Sequence, residues 1–464
     1  MAEFGTFDTA LIIAMIAVYI AFTGWLTYRL RSRTSAQFMT AGRSLPAAVV
    51  AVLLMSEFIG AKSTVGTAQE AFGHGLSAAW AVLGASLGFL LFGLFFVKKL
   101  YGSGEYTISA AIAQKYGRST MMVVSLIMIY ALLLVNVGNY VSGAAALATI
   151  LKLNIPAAMC IIAGVSTFYY LFGGLKGMAY VTLLHSGLKL VGIAVLVGVA
   201  MSMTGGIAPL TADLPADYFT WDGTIGGSTI VAWTIANIGA IFSTQFIVQA
   251  ISANRDAARA QRSTFYAAAL CLPIGLALAL IGMSAKHLFP GLNSLYALPV
   301  FLGHMSPLLA GVVTTSLVAS VFVGVSTVAL AIASLIVRDF YKPYFNPTPE
   351  AEFRFTRRLS LLIGVAPLVF VFFIPAILKL SFFTRALRLS ISIVALIGFY
   401  LPLFATTRGA TLGLIGAAVT TTAWYVLGNP YGIDNIYIAA VTPLVVMAAD
   451  RLLAGQAKRS LPAH

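Results

Sequence analysis

Long apolar stretches recur along the chain, each about the length of a helix and separated by short polar segments. A helix crossing the roughly 30 Å hydrocarbon core of a bilayer needs about 20 apolar residues. Thirteen stretches approach or exceed that length: 8–28, 46–71, 76–98, 119–150, 155–173, 178–204, 226–252, 264–287, 307–337, 359–378, 386–405, 409–428 and 433–450. Glycine and proline fall between these stretches or inside them, where neighbouring helices can satisfy the backbone groups they free. The pattern predicts an all-α integral membrane protein of about 13 transmembrane helices.

Composition agrees with lipid as the main solvent. Of 464 residues, 60% are hydrophobic and 9% charged, against roughly 25% charged in soluble domains. A soluble multidomain enzyme, a disordered chain and a disulfide scaffold are excluded. Cys160 and Cys271 lie in apolar runs and read as small buried hydrophobes. Neither has metal-ligand spacing around it, and the five histidines are scattered, so neither an enzyme nor a cofactor is expected. The net charge of +14 sits in short loops rather than on one stripe, which argues against nucleic acid. The lipid bilayer and a small-molecule solute are the expected partners, and the protein can act as a monomer.

The loops also predict orientation. One alternate set holds 21 of the 28 lysines and arginines, among them Arg29, Lys98, Lys176, Arg255, Arg338 and Arg408. The opposite set holds Lys152, Lys286, Lys379, Arg385 and Arg388, the last two reading as interfacial anchors or anion attractors. By the positive-inside rule the N-terminus lies outside and the C-terminus in the cytoplasm, with the chain in the plasma (inner) membrane. Asp8–Thr27 runs into Arg29, Arg31 and Arg33 without a small-residue cleavage site, so the first span is expected to be retained.

Ionisable side chains at bilayer depth cost on the order of 2.5–3.5 kcal/mol and usually face a cavity or partner. The second span carries Glu57, Lys62 and Glu70 with Ser56, Ser63, Thr64, Thr67 and Gln69, and Gly60 and Gly66 flank its centre. Glu57 and Lys62 are five residues apart, about 140° around an unbroken helix. The stretch reads as a helix opened at mid-membrane toward a solute. The seventh span is likewise interrupted by Trp233, Asn237, Gly239, Ser243, Thr244, Gln245 and Gln249. Two interrupted helices heading residues 46–204 and 226–405 predict a five-plus-five inverted repeat. An extra span and loop (1–45) precede it, a 205–225 loop joins the halves, and extra spans with a tail (406–464) follow. His185 and Lys189 share a helical face and can both carry protons; Asn136, Asn139 and Tyr140 read as helix-joining groups.

These residues resemble the sodium:solute symporter family, within the LeuT-like inverted-repeat superfamily. The resemblance rests on Gly173-Gly174-Leu175-Lys176-Gly177, on Thr244-Gln245-Phe246-Ile247-Val248-Gln249 followed by Arg255, and on Ala297-Leu298-Pro299. Val337-Arg338-Asp339-Phe340-Tyr341-Lys342 and the Tyr106-Thr107-Ile108 to Lys115-Tyr116-Gly117 loop complete it. It implies a broken-helix fold with a midplane site between the second and seventh spans. It also implies sodium ligands: carbonyls at Ser56 and Ile59, and two hydroxyls at positions that here hold Val323 and Gly324. Ser326 and Thr327 lie three residues on, and the family's Thr-Asp pair reads Val181-Thr182 with His185 following. There is thus no full sodium site, while Lys62, His185 and Lys189 add positive charge. The reading is a secondary transporter importing a small anionic carboxylate. Lys62 is the counter-charge, and coupling is to protons or absent. Glu57, Ser63, Thr64, Trp233, Asn237, Thr244, Gln245 and Gln249 are expected to line the solute site; Ser56, Ile59, Thr182, His185 and Lys189 to serve coupling. The alternatives are a sodium-coupled symporter using Ser326 and Thr327, or a membrane sensor module, for which the short tail leaves no output domain.

Overall fold

The computed structural model describes residues 5–151, 153–370 and 377–459. Almost all are helical, and no strand occurs among them. Helix α1 (Thr6–Arg29) precedes the first broken pair, α2 (Ala47–Phe58) and α3 (Ala61–His74). Next come α4 (Trp80–Leu91), continued through a π-turn at Phe92–Phe96 to Gly102, α5 (Ile108–Tyr116) and α6 (Arg118–Leu151). Helix α7 (Ile155–Thr204) is two spans joined at Gly174. The second broken pair is α8 (Gly227–Ser243) and α9 (Gln245–Ser252). It is followed by α10 (Ala257–Leu288) and α11 (Pro307–Leu335), which a π-turn extends to Tyr341. Helices α12 (Pro349–Phe370), α13 (Ile377–Tyr400), α14 (Thr407–Val426) and α15 (Asn435–Arg459) complete the chain.

Among the described residues, eight helices are long and apolar enough to cross a membrane, or nine if the bent α8–α9 pair is one span. That is fewer than the thirteen stretches of the sequence pattern, partly because several pairs run together: Ser63–Gly102 and Pro156–Thr204 each count once. Two boundaries also move. The span expected at 386–405 runs from Ile377 to Tyr400, and the one expected at 359–378 begins at Pro349, with residues 371–376 outside the description.

The breaks have local causes. Ile59 (φ −103°, ψ 70°) and Gly60 (φ −92°, ψ −177°) leave the helical region; glycine is the poorest non-proline helix former. A carbonyl at the break is taken by a neighbouring hydroxyl: Ser63 Oγ donates to Phe58 O at 2.5 Å, while Gly60 O starts the next helix by accepting from Thr64 N at 3.1 Å. At the second break Thr244 adopts φ −57°, ψ 122°, its Oγ1 donates to Ala240 O, and the two helices meet at 49°. At Gly174 φ is +53°, and a Cβ would stand 2.7 Å from Phe38 Cα, so the turn between two spans needs glycine there.

Packing sorts the helices into two bodies. Helices α2, α3, α4 and α8 gather with α10, while α11, buried along nearly its whole length, packs against α1, α6 and α7. Helix α13 touches both through α8 and α6. The broken pairs thus lie where the bodies meet. At one end the 205–226 segment caps α3: Tyr218 Oη donates to the free carbonyls of Phe72 (3.1 Å) and Gly73 (2.9 Å). Asn136 and Tyr140 join helices, donating to Val325 O at 3.4 Å and Gly364 O at 2.7 Å, whereas Asn139 donates to Asn136 within the same helix at 3.5 Å.

Candidate solute site and coupling layer

A layer of buried polar groups surrounds the breaks. Lys189 on α7 is 2% exposed, and its ammonium donates to Ile59 O, a carbonyl released where α2 ends. The Ser56 and Ser186 hydroxyls are bonded beside it. Glu57, in the last turn of α2, accepts from Thr327 Oγ1 of α11 at 2.7 Å. Arg388 on α13, 5% exposed, donates from Nη1 to Thr244 Oγ1 at 2.8 Å and from Nε to Thr384 O at 3.1 Å. All but the Arg388–Thr384 bond, which lies within α13, join a broken helix to α7, α11 or α13. A buried charge persists only with partners of this kind, because removing one leaves the other desolvated and unpaired.

His185, 1% exposed, is hydrogen-bonded through Nδ1 to Tyr19 Oη of α1 at 2.8 Å, while its Nε2 is buried without a partner. Thr182 is buried one turn before Ser186. The backbone of Lys62 lies in the first turn of α3, but its side chain is outside the description.

The residues at the family's sodium position do not fit that ion. Sodium, a hard cation, takes oxygen ligands. Val323 and Gly324 offer none from their side chains. The Ile59 carbonyl is taken by the Lys189 ammonium, whose charge opposes a second cation beside it.

Beyond the breaks, toward the end capped by 205–226, lies a narrow cleft whose free space of about 30 Å³ holds a water molecule or two, so a solute is admitted only when its walls part. Ser63, Thr67 and Glu70 of α3, Trp233 of α8, and Phe382 and Arg385 of α13 form its walls. Trp233 and Phe382 stack with centroids 5.2 Å apart, and the Arg385 guanidinium lies 4.9 Å from the Phe382 ring. Asn237 supports the wall from behind, donating to Ala81 O at 3.4 Å. Arg385 and Arg388 are therefore not loop residues: their span begins eight residues before Arg385, and both turn inward. Sequence reading placed them at the interface because the apolar run was started too late. The spacing Arg385-x-x-Arg388 on one helical face was the available signal.

Gln245 and Gln249 turn away from the cavity. Gln245 accepts from Ile108 N at 3.0 Å and donates to Tyr106 O at 2.9 Å; Gln249 donates to Met39 O at 2.6 Å. With Leu45 N donating to Ala253 O at 3.0 Å, they seal the opposite end of the site. Asp339, on the π-turn of α11, braces this seal by accepting from Ser125 at 2.5 Å, Thr107 at 3.4 Å and Ser109. Arg338 pairs with Glu105 at 2.9 Å, and Lys342 with Glu352 at 3.0 Å.

A cleft between two broken helices, with charged groups inside an apolar helix bundle and one end closed, is an arrangement compatible with a transporter of a small solute. Residues 38–416 match the sodium:solute symporter family, and the chain belongs to that family. It is 25% identical over 369 residues to the high-affinity proline transporter PutP of Bacillus subtilis, covering 75% of this chain and 77% of that protein. It is 27% identical over 291 residues to human high affinity choline transporter 1, where the match covers 58% of this chain and 49% of the relative. Among solved structures, a Na+-coupled sialic acid symporter superposes with a TM-score of 0.83 at 16% identity, over 97% of this chain and 98% of that one. The nucleobase-cation-symport transporter Mhp1 superposes at 0.63. The fold is thus the LeuT-like broken-helix architecture, in a multi-pass membrane protein.

Proposed function

We propose that this protein imports a small organic solute bearing a carboxylate by alternating access, with the Lys189 ammonium standing where relatives are expected to hold sodium. The observation that carries this reading is the hydrogen bond from Lys189 to Ile59 O. It puts a positive charge on the unwound backbone without a metal ion. Coupling is then to protons, gained and lost by Lys189, or absent. Lys189 is the titratable group of this reading, while the side chain of Lys62, expected as the counter-charge, lies outside the described residues.

Arg385 is the counter-charge for the carboxylate, since its guanidinium lines the cavity. Guanidinium suits this task because it offers two parallel donors to a carboxylate. Ser63 and Thr67 add hydroxyls on the facing wall. Solute entry requires Trp233 and Phe382 to part, and release requires the Gln249–Met39 seal to open. The basic loops support a cytoplasmic C-terminus in the inner membrane, which makes the sealed end the cytoplasmic one. Sodium coupling through Ser326 and Thr327 is the less supported reading, because the Lys189 ammonium already holds the Ile59 carbonyl expected to complete such a site.

Uptake of radiolabelled carboxylates into proteoliposomes, under separately imposed sodium and proton gradients, tests this. Uptake that survives replacement of sodium by N-methylglucamine is expected. Strict sodium dependence, indifferent to pH, overturns the reading.

A further inference from the structure

Arg385 and Glu70 line the same cavity from α13 and α3, yet no ion pair joins them. Among the described residues Glu70 pairs with His74 alone, at 3.8 Å, one turn on along its own helix and not part of the cavity wall. Arg385 meets the face of Phe382 and, among the described residues, no acidic partner. Thr67 Oγ1, from a side chain 1% exposed on the same wall, is buried without any hydrogen-bond partner. The deeper charges behave differently, for Glu57 is held by Thr327 and Arg388 by Thr244. Two opposite charges held apart across a partly desolvated space are each costly until a counter-charge arrives. A simple carboxylate satisfies Arg385 but meets the Glu70 carboxylate with like charge.

We infer that the solute is a compact zwitterion, its carboxylate on Arg385 and its ammonium on Glu70, with Thr67 completing the polar contacts. The aromatic wall of Trp233 and Phe382 covers the carbon skeleton and also suits a cationic end. This rests on the proposal that the cavity is the solute site and Arg385 its carboxylate partner; it adds Glu70 as the group that selects among carboxylates.

The test compares isosteres that differ only in the cation: 2-aminoisobutyrate with pivalate, β-alanine with butyrate, and 4-aminobutyrate with valerate. Binding to the purified full chain is read by calorimetry. At least one zwitterion is expected to bind about tenfold or more tightly than its isostere, as a charged hydrogen bond implies. Glu70→Gln is expected to erase that preference and leave the isostere unchanged or tighter; Arg385→Gln is expected to weaken both. Equal binding of zwitterions and isosteres by the wild type, or a preference that survives in folded Glu70→Gln, overturns the zwitterion while leaving the carboxylate reading standing. No binding by either member of any pair overturns both. The wild-type comparison decides the matter even if the variant does not fold.

Discussion

The Lys189 ammonium donates to the carbonyl of Ile59, at the point where the first broken helix comes apart. The donor comes from α7 and the acceptor from α2, so the bond ties the helix break to the α7–α11 body. Substituting Lys189 by glutamine keeps a donor but removes the charge. Uptake by Lys189→Gln is expected to fall at least about tenfold and to lose any dependence on pH, and parallel proteoliposome assays across pH 5.5–8.5 check this. Unchanged uptake with an unchanged pH profile removes Lys189 from the coupling role.

The cavity wall yields a second expectation. Arg385→Gln removes a charge-assisted contact with the solute, which is about 1.5–3 kcal/mol, or roughly ten- to a hundredfold in affinity. Arg385→Lys keeps the charge but not the fork and is expected to restore only part of the loss. Titration of uptake rate against solute concentration measures both, with the change in KM rather than in maximal rate.

Thr244→Val is expected to destabilise the protein without touching the cavity wall. It removes the acceptor for Arg388 Nη1, leaving a buried guanidinium short of a partner, at a cost of about 1–3 kcal/mol. Thr244→Ser keeps the hydroxyl and should recover the wild-type melting temperature in a thermal-unfolding assay in detergent.

Helices α3 and α10 approach so closely at Gly282 that a Cβ there would stand 2.2 Å from Ala68 O, a backbone atom. Gly282→Ala must push the helix carrying Thr67 and Glu70 outward. Lower thermal stability together with weaker solute binding is expected. By contrast, Gly187, whose added Cβ meets nothing within 4 Å, should accept alanine without either effect.

The broad architecture was legible from the chain because its signals are local. Gly60 between Glu57 and Ser63 announced a break, and the Ser63 hydroxyl of that string takes the Phe58 carbonyl beside it. The polar run at Thr244 announced the second. What sequence could not give was rotation about each helix axis. Gln245 and Gln249 sit in the interrupted span as plainly as Trp233, yet they face the seal while Trp233 faces the cavity. Arg385 and Arg388 were hidden for another reason. Charges near the end of an apolar run look the same whether they anchor at the interface or turn inward, and only the packing of α13 against α8 separates the two.

The two ends of the Gln245 amide hold neighbouring backbone groups of one segment, Tyr106 O and Ile108 N, which lead into α5. A half-helix fastened in this way cannot tilt alone. Any swing of α9 carries the start of α5 with it as a single lever, and because Thr107 and Ser109 of that segment both donate to Asp339, the motion also strains the end of α11.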